Sequence, residues 1–113
     1  MSKTHDATDL LAVSPPSPIP GNFFLYILLC QDSSLYIGIT QDVTSRMARH
    51  LDGTGSKFTR VHRPARLVYT EGPFSEEAAV QRERQLKRWS RPKKLALIRN
   101  EIECLRKLSR SHD

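Results

Sequence analysis

The chain has 113 residues, with 18 Lys and Arg, 12 Asp and Glu, two Cys and a formal net charge of +6. That length suits one domain and leaves no room for separate cofactor and substrate domains. The longest apolar run, Phe23 to Cys30, falls far short of the roughly 20 residues of a membrane span, and two cysteines make no disulfide framework. A reduced, cytoplasmic protein that does not enter membranes is the expectation. No secretory signal is expected either, because Leu10 to Val13 is too short for an apolar signal core.

Residues 1–22 read as a disordered Pro/Ser-rich leader. Ser14 to Gly21 (SPPSPIPG) carries four prolines in eight residues, which blocks regular helix and sheet. The folded domain is expected over 23–100. Phe23 to Leu29 has the length and composition of a strand. Gln31 to Ser34 is a polar turn, and Leu35 to Ile39 a second strand. So short a connection makes the pair an antiparallel hairpin. Thr40 or Asp42 caps a helix carrying Val43, Met47 and Leu51 on one face. Asp52 to Ser56 ends it. A basic loop from Lys57 to Arg63 leads to a third strand, Arg66 to Thr70. Ser75 caps a second helix with Ala78, Ala79, Leu86 and Trp89 on its apolar stripe. Ser90-Arg91-Pro92 starts a third helix, since Ser caps and Pro is tolerated in the first turn. That helix carries Leu95 and Ile98 and either runs on through Ile102 and Leu105 or breaks at Asn100. Residues 101–113 read as a helical extension and tail. The order β-β-α-β-α-α predicts an α+β domain, a three-stranded antiparallel sheet flanked by helices.

Charge is unevenly spread. Residues 46–66 hold six basic residues against Asp52, for a net +5, and residues 82–110 hold eleven against Glu83, Glu101 and Glu103, for +8. Two basic blocks that meet in the fold favour a polyanion. Twelve of the 18 cations are Arg, whose planar fork suits phosphate oxygens. The bland alternative is a soluble surface that happens to be basic.

Three groupings carry chemistry. Tyr26 and Tyr36 sit at comparable distances from the hairpin turn and can share a sheet face, although strands favour aromatics for packing alone. Arg46 and His50, at i and i+4, share a helix face looking outward from the core edge; a solvated face is the plainer reading. Glu83 is the only acid between Ala78 and Asn100. It lies beside Ala79 and Leu86 at the rim of a buried stripe. A lone carboxylate disfavours phosphate unless a divalent cation bridges the two, and pairing with Arg82 or Arg84 is the structural alternative. A zinc site from Cys30, His50, His62 and Cys104 has no local ligand spacing.

In order, these residues resemble the GIY-YIG nuclease superfamily, in its short, stand-alone bacterial form. Tyr36-Ile37-Gly38 is the second signature. Phe24-Leu25-Tyr26 stands at the first, with Phe24 in place of its glycine. Arg46 and His50 fit the Arg-x-x-x-His of the first helix, and Glu83 the metal-binding glutamate of a later one. YIGIT (36–40), GSKFTR (55–60) and ERQLKRWSRPKK (83–94) are similar too. The resemblance implies a metal-dependent endonuclease that hydrolyses DNA phosphodiesters, in repair or processing, with one Mg²⁺ or Mn²⁺ on Glu83. It implies catalytic roles for Tyr26, Tyr36, Arg46, His50 and Glu83, with Gly38 and Asn100 as further site candidates. Lys57, Arg60, Arg63, Arg88, Lys93 and Lys94 would grip the nucleic-acid backbone. No element for reading bases is apparent, so weak sequence specificity is expected. A nucleic-acid-binding module that no longer cuts is the alternative.

Overall fold

The structure is a computed structural model and describes residue 7 and residues 9–110. Its elements are β1 (Phe23–Cys30), β2 (Leu35–Thr40), α1 (Val43–Leu51), α2 (Lys57–Val61), β3 (Pro64–Phe74), α3 (Glu76–Lys87), α4 (Arg91–Arg99) and α5 (Ile102–Arg110). The three strands form an antiparallel sheet in the order β2-β1-β3. This is the expected α+β architecture. The basic loop contains the short helix α2, which the sequence did not signal, and of the two courses left open beyond α4 the chain takes the break at Asn100, which sets off α5.

The sheet explains the unbroken apolar run of β1. As the central strand it is covered on both faces. Leu25, Ile27 and Leu29 point to a cluster with Ile37, Val68, Leu86 and Leu95. Phe24, Tyr26 and Leu28 point the other way, to Val43 and Leu67, with Tyr36 and Met47 against them. Helices α3 and α4 thus lie on one face and α1 on the other.

Local chemistry starts each helix. Asp42 accepts from the Ser45 N–H and opens α1, and Ser56, Ser75 and Ser90 do the same for α2, α3 and α4. Each such cap satisfies an N–H that the helix leaves orphaned, worth about 1 kcal/mol. Asn100 ends α4 in the left-handed conformation (φ 58°, ψ 40°), which Asn tolerates better than most residues.

Two sequence expectations need correction here. Leu51 is not on the apolar face of α1; it is 53% exposed, and His50 is the residue that turns inward. The leader differs from a free tail in its described part. Residues 9–22 contain no helix or strand, but Ala7 and Leu10 are buried in the cluster with Val68, Leu86 and Leu95. Arg66 Nη1 donates to the Leu10 carbonyl, the Val13 N–H donates to the Leu67 carbonyl, and Asp9 pairs with Arg99. The apolar residues too few for a signal suffice to cover one end of the core. Residues 1–6 and 8 of the leader, and 111–113 of the tail, lie outside the described residues.

Candidate active site

The site is built where the edge strand β2 meets α1, α2 and α3. Tyr26 and Tyr36 share a sheet face, but diagonally. Tyr26 lies opposite Gly38, and Tyr36 opposite Leu28; the two rings are 6.3 Å apart. Gly38 is what makes room. A Cβ at that position would sit 2.5 Å from the Tyr26 hydroxyl and 2.6 Å from Cζ. The signature glycine therefore clears space for the tyrosine of the neighbouring strand.

His50 does not look outward as expected from its helix spacing. It is buried beneath the tyrosines. Its Nε2 is 2.7 Å from the Tyr26 hydroxyl and its Nδ1 2.7 Å from Thr59 Oγ1. Its ring packs edge-on against Tyr36, at 5.0 Å between centroids. Thr59, also buried, bonds on to Ser56. Gly55 has the same purpose as Gly38, since a Cβ there would meet His50 Nδ1 at 2.5 Å. The short helix α2 thus brings Thr59 under His50. Burial, then the charges of Arg46 and Arg49, hold the His50 pKa below its ordinary value. The ring is therefore neutral near pH 7, with one nitrogen a donor and the other an acceptor. In one tautomer Tyr26 donates to His50 and His50 to Thr59; in the other, each bond reverses.

Burial pushes the Tyr26 hydroxyl up to about 12. A hydrogen bond and the charge from Arg46 pull it down, while the charges of Tyr36 and Glu83 raise it. The same phenol therefore feels Arg46, Tyr36 and Glu83, which come from three different elements. Arg46 also has a buried Nε with no hydrogen-bond partner, an uncommon and costly state for a native donor. With Arg49, Ser45, Asp42 and Glu76, Arg46 lines an open cleft of about 540 Å³.

Glu83 is 22% exposed, and its Oε2 pairs with Lys87 Nζ at 3.2 Å. The sequence alternatives, Arg82 and Arg84, are not its partner in this pair. Arg82 instead donates two hydrogen bonds to Glu71, from Nε to Oε1 and from Nη2 to Oε2; Glu71 also accepts from Tyr69, and the Arg82 guanidinium lies over the Trp89 ring. This network fixes α3 against β3, while the charge of the next residue, Glu83, is felt by Tyr26.

The basic residues divide. Lys57, Arg60 and Arg63 are exposed on and after α2, and Arg88 is exposed at the end of α3. Lys94 lines a cleft of about 250 Å³ with Tyr36, Phe58 and Lys87. Lys93, expected on the phosphate grip, is instead 6% exposed, with its ammonium 4.2 Å from the centre of the Trp89 ring. Neighbouring helix positions point about 100° apart, so only one of the two lysines reaches the cleft. Asn100 lies six residues beyond Lys94, about 9 Å along the helix axis, between Arg99 and Glu101, which line a different cleft with Leu10 and Val13. Its visible role is to end α4.

Thr59, Ser56, Phe58 and Lys87 were not singled out from the sequence. For the first three the signal was present in GSKFTR, where the cations stand out and the residues around them build the site; for Lys87 it was the i,i+4 spacing from Glu83.

The profile of the GIY-YIG catalytic domain matches residues 22–96. A UPF0213 protein of Staphylococcus aureus is 45% identical over 76 residues, which are 67% of this chain and 93% of that protein. The solution structure of the protein EF2693 from E. faecalis is similar at 30% identity, with a TM-score of 0.53 over 77% of this chain and 93% of that one. The solution structure of a UPF0213 protein from Bacillus halodurans is 44% identical over 68% of this chain and 82% of that one, with a TM-score of 0.45.

Proposed function

Because the chain belongs to the GIY-YIG catalytic-domain family, a nuclease family, we propose that it is an endonuclease cutting phosphodiester bonds of nucleic acid, DNA in the first instance, with little preference for sequence. The observation that carries this reading is the convergence on Tyr26. Its hydroxyl touches His50 and feels Arg46, Tyr36 and Glu83, residues far apart in the chain.

The donor set fits a hard divalent cation. Glu83 offers one partly exposed carboxylate, and among the described residues no three His, Cys, Asp or Glu side chains gather. Mg²⁺ is commonly held by one or two carboxylates, substrate phosphate and water, so one carboxylate suffices when the substrate completes the shell. When bound, the cation supplies charge neutralisation to the phosphate and its leaving oxygen. The protein's own groups do the rest. Arg46, which lines the open cleft and whose buried Nε–H lacks a partner, supplies positive charge for a phosphoryl oxygen. Tyr26 and Tyr36 orient the attacking water. His50, neutral and bonded to Tyr26, can take the phenol proton as Tyr26 takes one from water. With its pKa raised to about 12, Tyr26 stays almost wholly protonated near neutral pH until positive charge arrives beside it, which links its activation to substrate and ion.

The Glu83–Lys87 pair favours a second reading, a binding module whose carboxylate is already neutralised. Incubation of labelled DNA with Mg²⁺ or Mn²⁺, and with EDTA, separates the two. The enzyme cuts only with metal, loses cutting in Glu83→Gln, and loses about 10²–10³-fold in Arg46→Ala. Salt-sensitive binding without metal-dependent cutting establishes the module.

A further inference from the structure

The cleft beside Tyr36 is not used by the chemistry above. It is lined by Leu35, Tyr36, Ile37, Phe58, Lys87 and Lys94, with a volume of about 250 Å³. Phe58 is 37% exposed. Its ring stacks on His62 (4.2 Å, 22° between planes) and lies 5.7 Å from Tyr36. More than a third of its surface stays open to water, which is unfavourable for a phenyl ring by itself, and here it sits beside a second aromatic ring in a cleft that two lysines also line. Aromatic walls with cations at the rim suit a nucleotide, because every base offers a face for stacking and the backbone offers charge.

We propose that this cleft holds an unpaired base, so that the substrate is single-stranded, or locally unpaired, next to the bond that is cut. A paired base is already stacked within its duplex and cannot enter a cleft walled by Tyr36 and Phe58 without leaving it. A single strand presents bases free to stack. The placement also gives register. Tyr36 is shared by the cleft and the tyrosine–histidine cluster, being 5.0 Å from His50. A base against Tyr36 therefore sets its own phosphate near Arg46 and Glu83. Lys87, now paired with Glu83, can turn to that phosphate when the carboxylate takes a cation. Lys94 is half-buried, its pKa lowered by burial and by Arg91, and gains an anionic partner on binding. The proposal rests on the nuclease reading but names a substrate class that reading leaves open.

The test measures binding without cutting. The full chain, in EDTA, is titrated by fluorescence anisotropy into a labelled 15-nucleotide DNA strand, the RNA strand of the same sequence, and the blunt DNA duplex. The single strands should bind on the order of 10-fold more tightly than the duplex. Phe58→Ala should weaken single-strand binding on the order of 10-fold while leaving duplex binding unchanged. Phe58→Trp should retain affinity, and the added indole emission should be quenched by the strand. An equal effect on DNA and RNA supports a base site whichever sugar carries the base. A duplex bound as tightly as the strands, Phe58→Ala weakening both alike, or Phe58→Trp emission unmoved by saturating strand overturns the proposal. Stacked binding with no cutting in metal would instead sink the enzyme and leave the cleft assignment standing.

Discussion

Gly38→Ala tests the geometry that holds the site together. The added methyl would lie 2.5 Å from the Tyr26 hydroxyl, 2.6 Å from Cζ and 3.0 Å from Cε1. Ordinary contacts to a Cβ lie beyond about 3.4 Å, so the ring must retreat by nearly 1 Å. It has little freedom to do so. Tyr26 is buried in β1, with His50 and Tyr36 packed about it. Overpacking a filled core costs about 1–3 kcal/mol, and stretching the 2.7 Å bond to His50 forfeits about 0.5–1.5 kcal/mol more. The expected loss is therefore about 1.5–4.5 kcal/mol. Urea unfolding followed by emission of the single tryptophan, Trp89, measures it. Cleavage should fall further than stability explains, because a 1 Å misplacement of a reacting group costs on the order of 10²-fold. A change under about 0.5 kcal/mol with full cleavage would show that the tyrosine can move freely, and the account of Gly38 would fail.

Thr59→Val keeps the shape under His50 but removes the oxygen 2.7 Å from its Nδ1. It should cost about 1–3 kcal/mol, and Thr59→Ser should recover most of that; equal urea midpoints for all three would discount the bond. Acid should weaken the contribution of His50 itself. Its folded pKa is lowered, so the unfolded chain binds the proton more readily. Stability due to the neutral ring is complete above the unfolded value near 6.5 and declines as pH falls below it. The stability advantage of wild type over His50→Gln should accordingly shrink between pH 7 and 5, and a constant difference would contradict the burial argument. Leu10→Ala should destabilise by about 2–4 kcal/mol, as for other buried leucines. An unchanged thermal transition would return residues 9–13 to the status of a free leader.

Much of this molecule is legible along the chain because the deciding interactions are local. Strand length, the four-residue turn and the caps at Asp42, Ser75 and Ser90 each depend on neighbours a few positions away. They give the order of elements directly. The tyrosines, Arg46, His50 and Glu83 could also be picked out, because their spacing and order match a family pattern. What sequence could not supply was the direction of a side chain at a contested position. Helix spacing places His50 on an outward face, yet the central strand carrying Tyr26, the edge strand carrying Tyr36 and the short helix bringing Thr59 convert that face into an interior one. Lys93 and Lys94 are equivalent in the text, and only the position of Trp89 separates the buried cation from the accessible one. Phe58 looks like an ordinary core residue until β2 leaves it at the lip of a cleft. Local propensity acts through the backbone within a turn or two, whereas burial is set by whatever remote segment arrives opposite, and in this protein that remote partner decides the chemistry.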